Sequence, residues 1–153
     1  MHRIIVKIET KEKTIINATF ANGKIIEFDV ANLFDKIPSF LALKDLNLFK
    51  TIKIDGIGYG ISWNDDLDLS SDYIYNNGKE VDRVRADIKL SFAEALTYAR
   101  ECEGISQREL SRRSKIIQSD ISKMEQGKGN PTLSTLDKLA KALNCNVTSL
   151  IQI

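Results

Sequence analysis

Gln118, Ser119, Ser122 and Lys123 bring amide, hydroxyl and ammonium groups together within six positions. Ile121 and Met124 stand behind them at helical spacing. If the segment is helical, the apolar pair faces inward and the four polar residues face out. A glutamine amide can hydrogen-bond adenine N6 and N7 together. An ammonium can reach guanine O6 and N7, and a hydroxyl adapts to several base edges. This is the chemistry needed to read DNA with a helix laid in the major groove. Just upstream, Arg108, Arg112, Arg113 and Lys115 crowd eight positions that hold one acid, Glu109. A solvated helix face gives the same charge pattern, so the crowding alone decides nothing.

Other chemically suggestive residues carry less. Gly56-Ile57-Gly58-Tyr59-Gly60 resembles a nucleotide-binding run, but it lies between two strand candidates with no helix after it. A hairpin loop is expected. Asn64-Asp65-Asp66-Leu67-Asp68 lacks the glycine and closing glutamate of a calcium loop, so a surface loop is expected rather than a metal site. His2 is the one histidine and lies at the chain end, and Cys102 has no histidine partner. No acid–base or nucleophile set appears, so no catalysis, metal or cofactor is expected. Trp63, Tyr59, Tyr73 and Tyr75 read as members of a small core.

The elements that position the strip follow from periodicity. From Leu90 the pattern is helical. Phe92, Leu96, Ala99 and Cys102 mark one stripe, and Ser106 with Glu109 makes a Ser-x-x-Glu capping box for a second helix. Ile117, Ile121 and Met124 mark a third. Leu133, Leu136, Leu139, Ala140 and Leu143 mark a fourth, and Val147, Leu150 and Ile151 suit a short fifth. Gly104, Gly127 and Gly129 fall where helices should stop. Gln107 and Arg108 open the second helix, where backbone N–H groups and the helix dipole favour a phosphate.

The first half reads differently. Ile4, Val6 and Ile8 alternate as in a half-buried strand, Thr14–Phe20 suggests a second, and Lys24–Phe28 a third. Asn22-Gly23 between the last two predicts a tight hairpin with positive φ at both turn positions. Apolar residues from Leu33 to Phe49 suit short helices, one opened by Pro38. Thr51–Asp55 and Gly60–Trp63 suggest another hairpin. The expected fold is α+β: residues 1–77 form a small antiparallel sheet with short helices, residues 78–89 a charged linker with some strand or helix in it, and residues 90–153 an all-α domain.

Gln107 through Leu110, Ile116, Ile121 with Glu125 and Gly127, Asn130-Pro131-Thr132, Leu136, Leu139-Ala140 and Leu143 stand in the order of the phage-repressor (Xre/Cro) helix-turn-helix family. Residues 90–151 resemble that family. The resemblance implies a five-helix, lambda-repressor-like DNA-binding domain with Gln118, Ser119, Ser122 and Lys123 reading bases. It implies that Gln107 bonds a phosphate and braces Gln118, and that Lys128 and Asn130 grip the next phosphate. Arg108, Arg113 and Lys115 are further phosphate candidates. Arg100 and Glu125 would form a partly buried ion pair clamping two helices. The sequence departs from the pattern at three places. Lys115 stands where glycine is common at the turn, Ile117 where Ser or Thr caps the reading helix, and Ser111 where Ala is usual. Ile117 would then press on a thymine methyl instead of capping.

A second resemblance covers residues 1–77. Phe20 through Lys24, Phe28-Asp29-Val30, Pro38-Ser39-Phe40, Ile61-Ser62-Trp63, Asp68-Leu69 and Ile74-Tyr75 are similar to a small bacterial α/β domain family of unknown function, found alone or fused to helix-turn-helix modules. It implies an antitoxin or partner-binding role, and the domain reads as a sensor or partner surface. The expected function is a dimeric repressor of its own operon on a double-stranded DNA operator. The alternative is an antitoxin-like protein whose first domain binds a small toxin-like partner or effector.

Charge, hydropathy and cysteines set the remaining bounds. The net charge of +1 gives no global sign of nucleic-acid binding. Residues 1–89 hold 13 Lys/Arg against 14 Asp/Glu, and residues 90–153 hold 9 against 7. No apolar run reaches the roughly 18 residues of a membrane span, and the N-terminal apolar stretch is short for a signal peptide. A cytoplasmic protein without membrane contact is expected, with Cys102 and Cys145 as buried thiols rather than a disulfide.

Overall fold

The computed structural model describes residues 3–56 and 58–151; His2 and Ile57, singled out above, lie outside the described residues. The chain divides between Arg85 and Ala86 into two compact units.

The N-terminal unit begins with strands β1 (Ile5–Thr10), β2 (Ile15–Phe20) and β3 (Lys24–Asp29). Two 3-10 segments, Val30–Leu33 and Pro38–Lys44, lead to α1 (Leu46–Phe49), and Pro38 opens the second as expected. Then come β4 (Lys53–Ile54), β5 (Gly60–Asn64), β6 (Leu67–Ser70), α2 (Ser71–Asn77) and β7 (Lys79–Arg83). Where one sheet was expected there are two, both antiparallel, in the orders β1-β2-β3-β7 and β4-β5-β6. They share one core. Ile16, Phe20 and Phe28 from the first meet Ile61, Trp63 and Leu69 from the second, with Leu33, Leu43, Phe49 and Ile74 from the segments between. Trp63 is buried and its indole N–H donates to the Phe49 carbonyl at 2.9 Å. Tyr73 and Tyr75 are half-buried against this core.

Two local expectations need correction, and a third, the strand within the linker, takes definite bounds. The alternation Ile4, Val6, Ile8 fails because Val6 is the extra residue of a β-bulge: Ile5 pairs with Phe20 and Lys7 with Thr19. Ile4 and Ile5 are both buried and Val6 is exposed. The β2–β3 turn closes one residue earlier than expected, with Gly23 N–H donating to the Phe20 carbonyl at 2.8 Å. Only Gly23 takes a positive φ, of 85°, so the loop is the three-residue kind rather than the two-residue kind. Finally, the stretch 78–89 supplies β7, which pairs with β3 through a second bulge at Val81. All five β7 residues are exposed and four are charged. Such bulges and charges protect a sheet edge from pairing with another chain. They also hide the strand from a hydrophobic-pattern reading. The acidic run falls on the turn between β5 and β6, where Asn64 Oδ1 accepts from the Asp66 N–H at 3.0 Å.

The C-terminal unit has five helices: α3 (Ile88–Cys102), α4 (Gln107–Ser114), α5 (Gln118–Glu125), α6 (Leu133–Ala142) and α7 (Val147–Leu150). Asp87 caps α3 by accepting from the Lys89 and Leu90 N–H groups, so this helix starts two residues before Leu90. Phe92, Leu96, Leu110, Ile121, Met124, Leu136, Leu139, Leu143 and Leu150 form the core. Among the described residues no helix is long and apolar enough to cross a membrane.

Cys102, Ile117, Leu133 and Ile151 of the expected stripes lie outside that core, and Cys145, expected as a buried thiol, only packs against it. Cys102 is exposed. Ten residues at about 100° each carry it roughly 80° off the line of Phe92. Cys145 is half-buried, and burial together with nearby Glu103 pushes its thiol pKa up. Ile117 is 70% exposed, because its backbone is extended and precedes the first turn of α5. Leu133 is 81% exposed at the first position of α6, and Ile151 is exposed just past α7.

The α4–α5 turn is held by side chains as well as backbone. Lys115 takes the left-handed conformation, φ 61° and ψ 25°, where glycine would be unstrained. Ser111 Oγ donates to the Ile116 carbonyl at 2.6 Å, so this serine ties the turn as well as leaving room for it. Left-handed strain of about 1–2 kcal/mol at Lys115 exceeds the backbone entropy cost of glycine, about 0.5–1 kcal/mol. Lys115→Gly should therefore raise stability by roughly 0.5–1 kcal/mol, read as a higher thermal midpoint. A lower midpoint would count against strain at this turn.

Candidate nucleic-acid interface

The candidate strip occupies α5. Ile121 and Met124 are buried, whereas Gln118, Ser119 and Lys123 are exposed. Ser122 is half-buried and its Oγ accepts from Gln126 Nε2 at 3.1 Å. Lys123 lies 3.9 Å from Asp120, a loose pair that leaves the ammonium in water. Ile117 makes no side-chain cap bond, in keeping with its sequence departure.

The remaining candidates separate into three groups. Gln107 is bonded directly to the strip: Gln118 Nε2 donates to Gln107 Oε1 at 3.3 Å. Lys128 and Asn130 line an open groove of about 310 Å³ with Lys123, Asp120, Gly129 and Pro131. Lys128 Nζ donates to Gln126 Oε1 at 3.1 Å, a partner that the sequence reading missed. Gly129 has no room for a side chain, since a Cβ there would lie 2.5 Å from Met124 Cγ. Arg108 and Lys115 are exposed. Arg113 is drawn elsewhere, donating to Glu109 at 2.9 Å and lying 3.7 Å from Glu103.

Arg100 and Glu125 form the expected ion pair between α3 and α5, with side chains 15% and 7% exposed. Arg100 Nε and Nη2 donate to the two carboxylate oxygens at 2.6 and 3.1 Å, and Nη1 donates to the Ile105 carbonyl at 3.0 Å. Gln107 Nε2 adds a third donor to the carboxylate at 2.8 Å. The pair thus fixes the end of α5 to α3 and to the start of α4.

Ser106 Oγ caps α4 by accepting from the Glu109 N–H at 3.1 Å. The Glu109 carboxylate does not return the bond of a full capping box. Hydrogen bonds from Arg112 and then Arg113 hold it instead, and they lower its pKa from 4.5 to about 2. A depressed carboxyl contributes stability above its ordinary pKa and loses it as pH falls through the folded value. The loss here should run from about pH 4.5 down to about 2. Carboxyl-carbon NMR should place the Glu109 midpoint near 2, and Arg112→Ala should move it upward. An ordinary midpoint in the intact protein would refute the network.

Two family models match, one on each unit. Residues 96–150 match the family described as Helix-turn-helix (HTH_3), and residues 5–80 match Protein of unknown function (DUF2442). A curated relative, the uncharacterized HTH-type transcriptional regulator y4dL of Sinorhizobium fredii (strain NBRC 101917 / NGR234), is 44% identical over 54 residues. That match covers 35% of this chain and 28% of the relative's length. Among solved structures, the restriction-modification controller protein C.AhdI from Aeromonas hydrophila is 31% identical over 40% of this chain and 92% of its own, with a TM-score of 0.39. The hypothetical transcription factor NHTF from Neisseria is 29% identical over 42% of this chain and 75% of its own, with a TM-score of 0.41.

Proposed function

We propose that this protein is a sequence-specific DNA-binding transcriptional regulator without catalytic activity, acting as a dimeric repressor of its own operon. The observation that carries the reading is the exposed strip Gln118, Ser119 and Lys123 on α5, backed by buried Ile121 and Met124 and joined to Gln107. The helix-turn-helix family match and the regulator relative support it. In this reading Gln118, Ser119, Ser122 and Lys123 meet base edges, and exposed Ile117 meets a thymine methyl. Gln107, Arg108, Lys115, Lys128 and Asn130 meet phosphates, and Arg113 does so after leaving Glu109. One such module contacts roughly four or five base pairs, too few to find one site in a genome. Two copies related by a twofold axis would place their reading helices about 34 Å apart on a near-palindromic operator. The N-terminal unit is the surface for an effector or protein partner.

Selection of bound genomic fragments, followed by footprinting, tests the reading. Gln118→Ala should relax discrimination at one base position. Lys128→Ala should weaken all sequences alike and reduce the salt slope by about one unit. Equal effects of both variants on operator and random DNA would overturn the division of roles.

A further inference from the structure

Four side chains form a hydrogen-bonded line from the interior of the helical unit to its exposed strip: Arg100, Glu125, Gln107 and Gln118. Their chemistry fixes the direction of every bond. A guanidinium only donates and a carboxylate only accepts. Gln107 must therefore turn its NH2 toward Glu125 and its carbonyl oxygen the other way. That oxygen also only accepts, so Gln118 must meet it with NH2. The polarity of a buried ion pair is thus passed along two amides to the surface. Gln118 is left with its carbonyl oxygen and one free N–H.

We infer that Glu125, held by Arg100, is a positioning residue for specificity: through Gln107 it orients the Gln118 amide so that adenine is accepted and guanine refused at the base pair Gln118 meets. This rests on the DNA-reading role proposed above. Adenine presents an N6 donor beside the N7 acceptor, which matches one carbonyl oxygen and one N–H. Guanine presents two acceptors, O6 and N7, and requires two donors. The second N–H of Gln118 is already given to Gln107. Cytosine offers a single donor there, and thymine an acceptor and a methyl group. With a neutral group at position 125, the Gln107 amide is free to take either orientation. Gln118 is then released, and both of its N–H groups become available to guanine.

The test uses the full-length protein and selection from randomised DNA, with Glu125→Gln and Gln107→Leu as variants. Gln118→Ala marks the relevant base position as the one whose preference it erases. At that position the adenine-to-guanine ratio should fall about tenfold in each variant, the scale of one lost bidentate match. Ratios at the other positions should stay unchanged, and the double variant should fall no further than the singles. Gln107→Leu keeps the ion pair and removes only the link between Glu125 and Gln118, so an unchanged ratio in it overturns the inference even if Glu125→Gln does not fold. A purely architectural role would weaken every sequence alike and leave the ratio intact. A folded variant with a ratio within about twofold of wild type overturns the inference alone. A wild-type protein that selects no sequence overturns the DNA-reading role, and the inference falls with it.

Discussion

Arg100→Met should destabilise the helical unit by about 3 kcal/mol, the lower end of what breaking a buried ion pair costs. The substitution keeps most of the aliphatic length, so packing along α3 changes little. What it removes is charge compensation for a carboxylate only 7% exposed. Gln107 still donates one bond to Glu125, but one neutral donor does not balance a desolvated anion. The Ile105 carbonyl also loses the Arg100 donor. For a unit of this size the loss should lower the thermal midpoint by roughly 12–24 °C. Hydrogen exchange should show α3 and α5 losing protection together. Removing both charges, with Arg100→Met and Glu125→Leu, should recover much of the loss, because an apolar pair of similar volume incurs no desolvation penalty. A single variant within about 1 kcal/mol of wild type would mean that water already compensates Glu125.

How much of this was legible in the sequence depended on periodicity. The helical unit was readable because Leu96, Ile121, Leu136 and Leu139 repeat at helical spacing, and because Ser106 and Thr132 supply caps visible as residue types. The errors fell where a residue keeps its type but leaves the period. Ile117 has left the helix for an extended cap, and Leu133 sits in a first turn with no neighbour above it. Cys102 has rotated off its stripe. In the N-terminal unit, two single-residue bulges at Val6 and Val81 break the alternation that reveals strands. Helix α2 is only seven residues long, too short to show a helical period, although Ser70 caps its start with its Oγ accepting from the Tyr73 N–H at 3.3 Å. At the candidate interface, the Arg100–Glu125 pair was implied by the helix-turn-helix resemblance and not by residue types alone. They did not announce that Glu109 would capture Arg113, because that competition is settled by side-chain reach along one helix face.

Gly78→Ala should be among the most damaging single-methyl additions to the N-terminal unit, at about 3 kcal/mol, the upper part of the range for overpacking. Gly78 looks like an ordinary helix-ending glycine, yet its backbone is extended, φ −91° and ψ −179°, a conformation open to any residue. The requirement is space. A Cβ at this position would lie 2.7 Å from the Glu27 carbonyl oxygen and 2.8 Å from the Ile74 carbonyl oxygen, as well as against Ile26 Cγ2. Two of those three neighbours are main chain, from β3 and α2, and cannot move without breaking ladder or helix bonds. The Gly78 N–H caps α2 by donating to the Ile74 carbonyl at 2.9 Å, so displacement would also leave that helix end open. Strand β7 begins one residue later and should lose its pairing with β3, visible as faster amide exchange at Lys79–Arg83. Gly104 supplies the contrast. It has a positive φ of 64° but nothing within 4 Å of a Cβ, so Gly104→Ala should cost only backbone strain, about 1–2 kcal/mol. If alanine at 78 proves no worse than alanine at 104, close approach of α2 to β3 is not what demands glycine there.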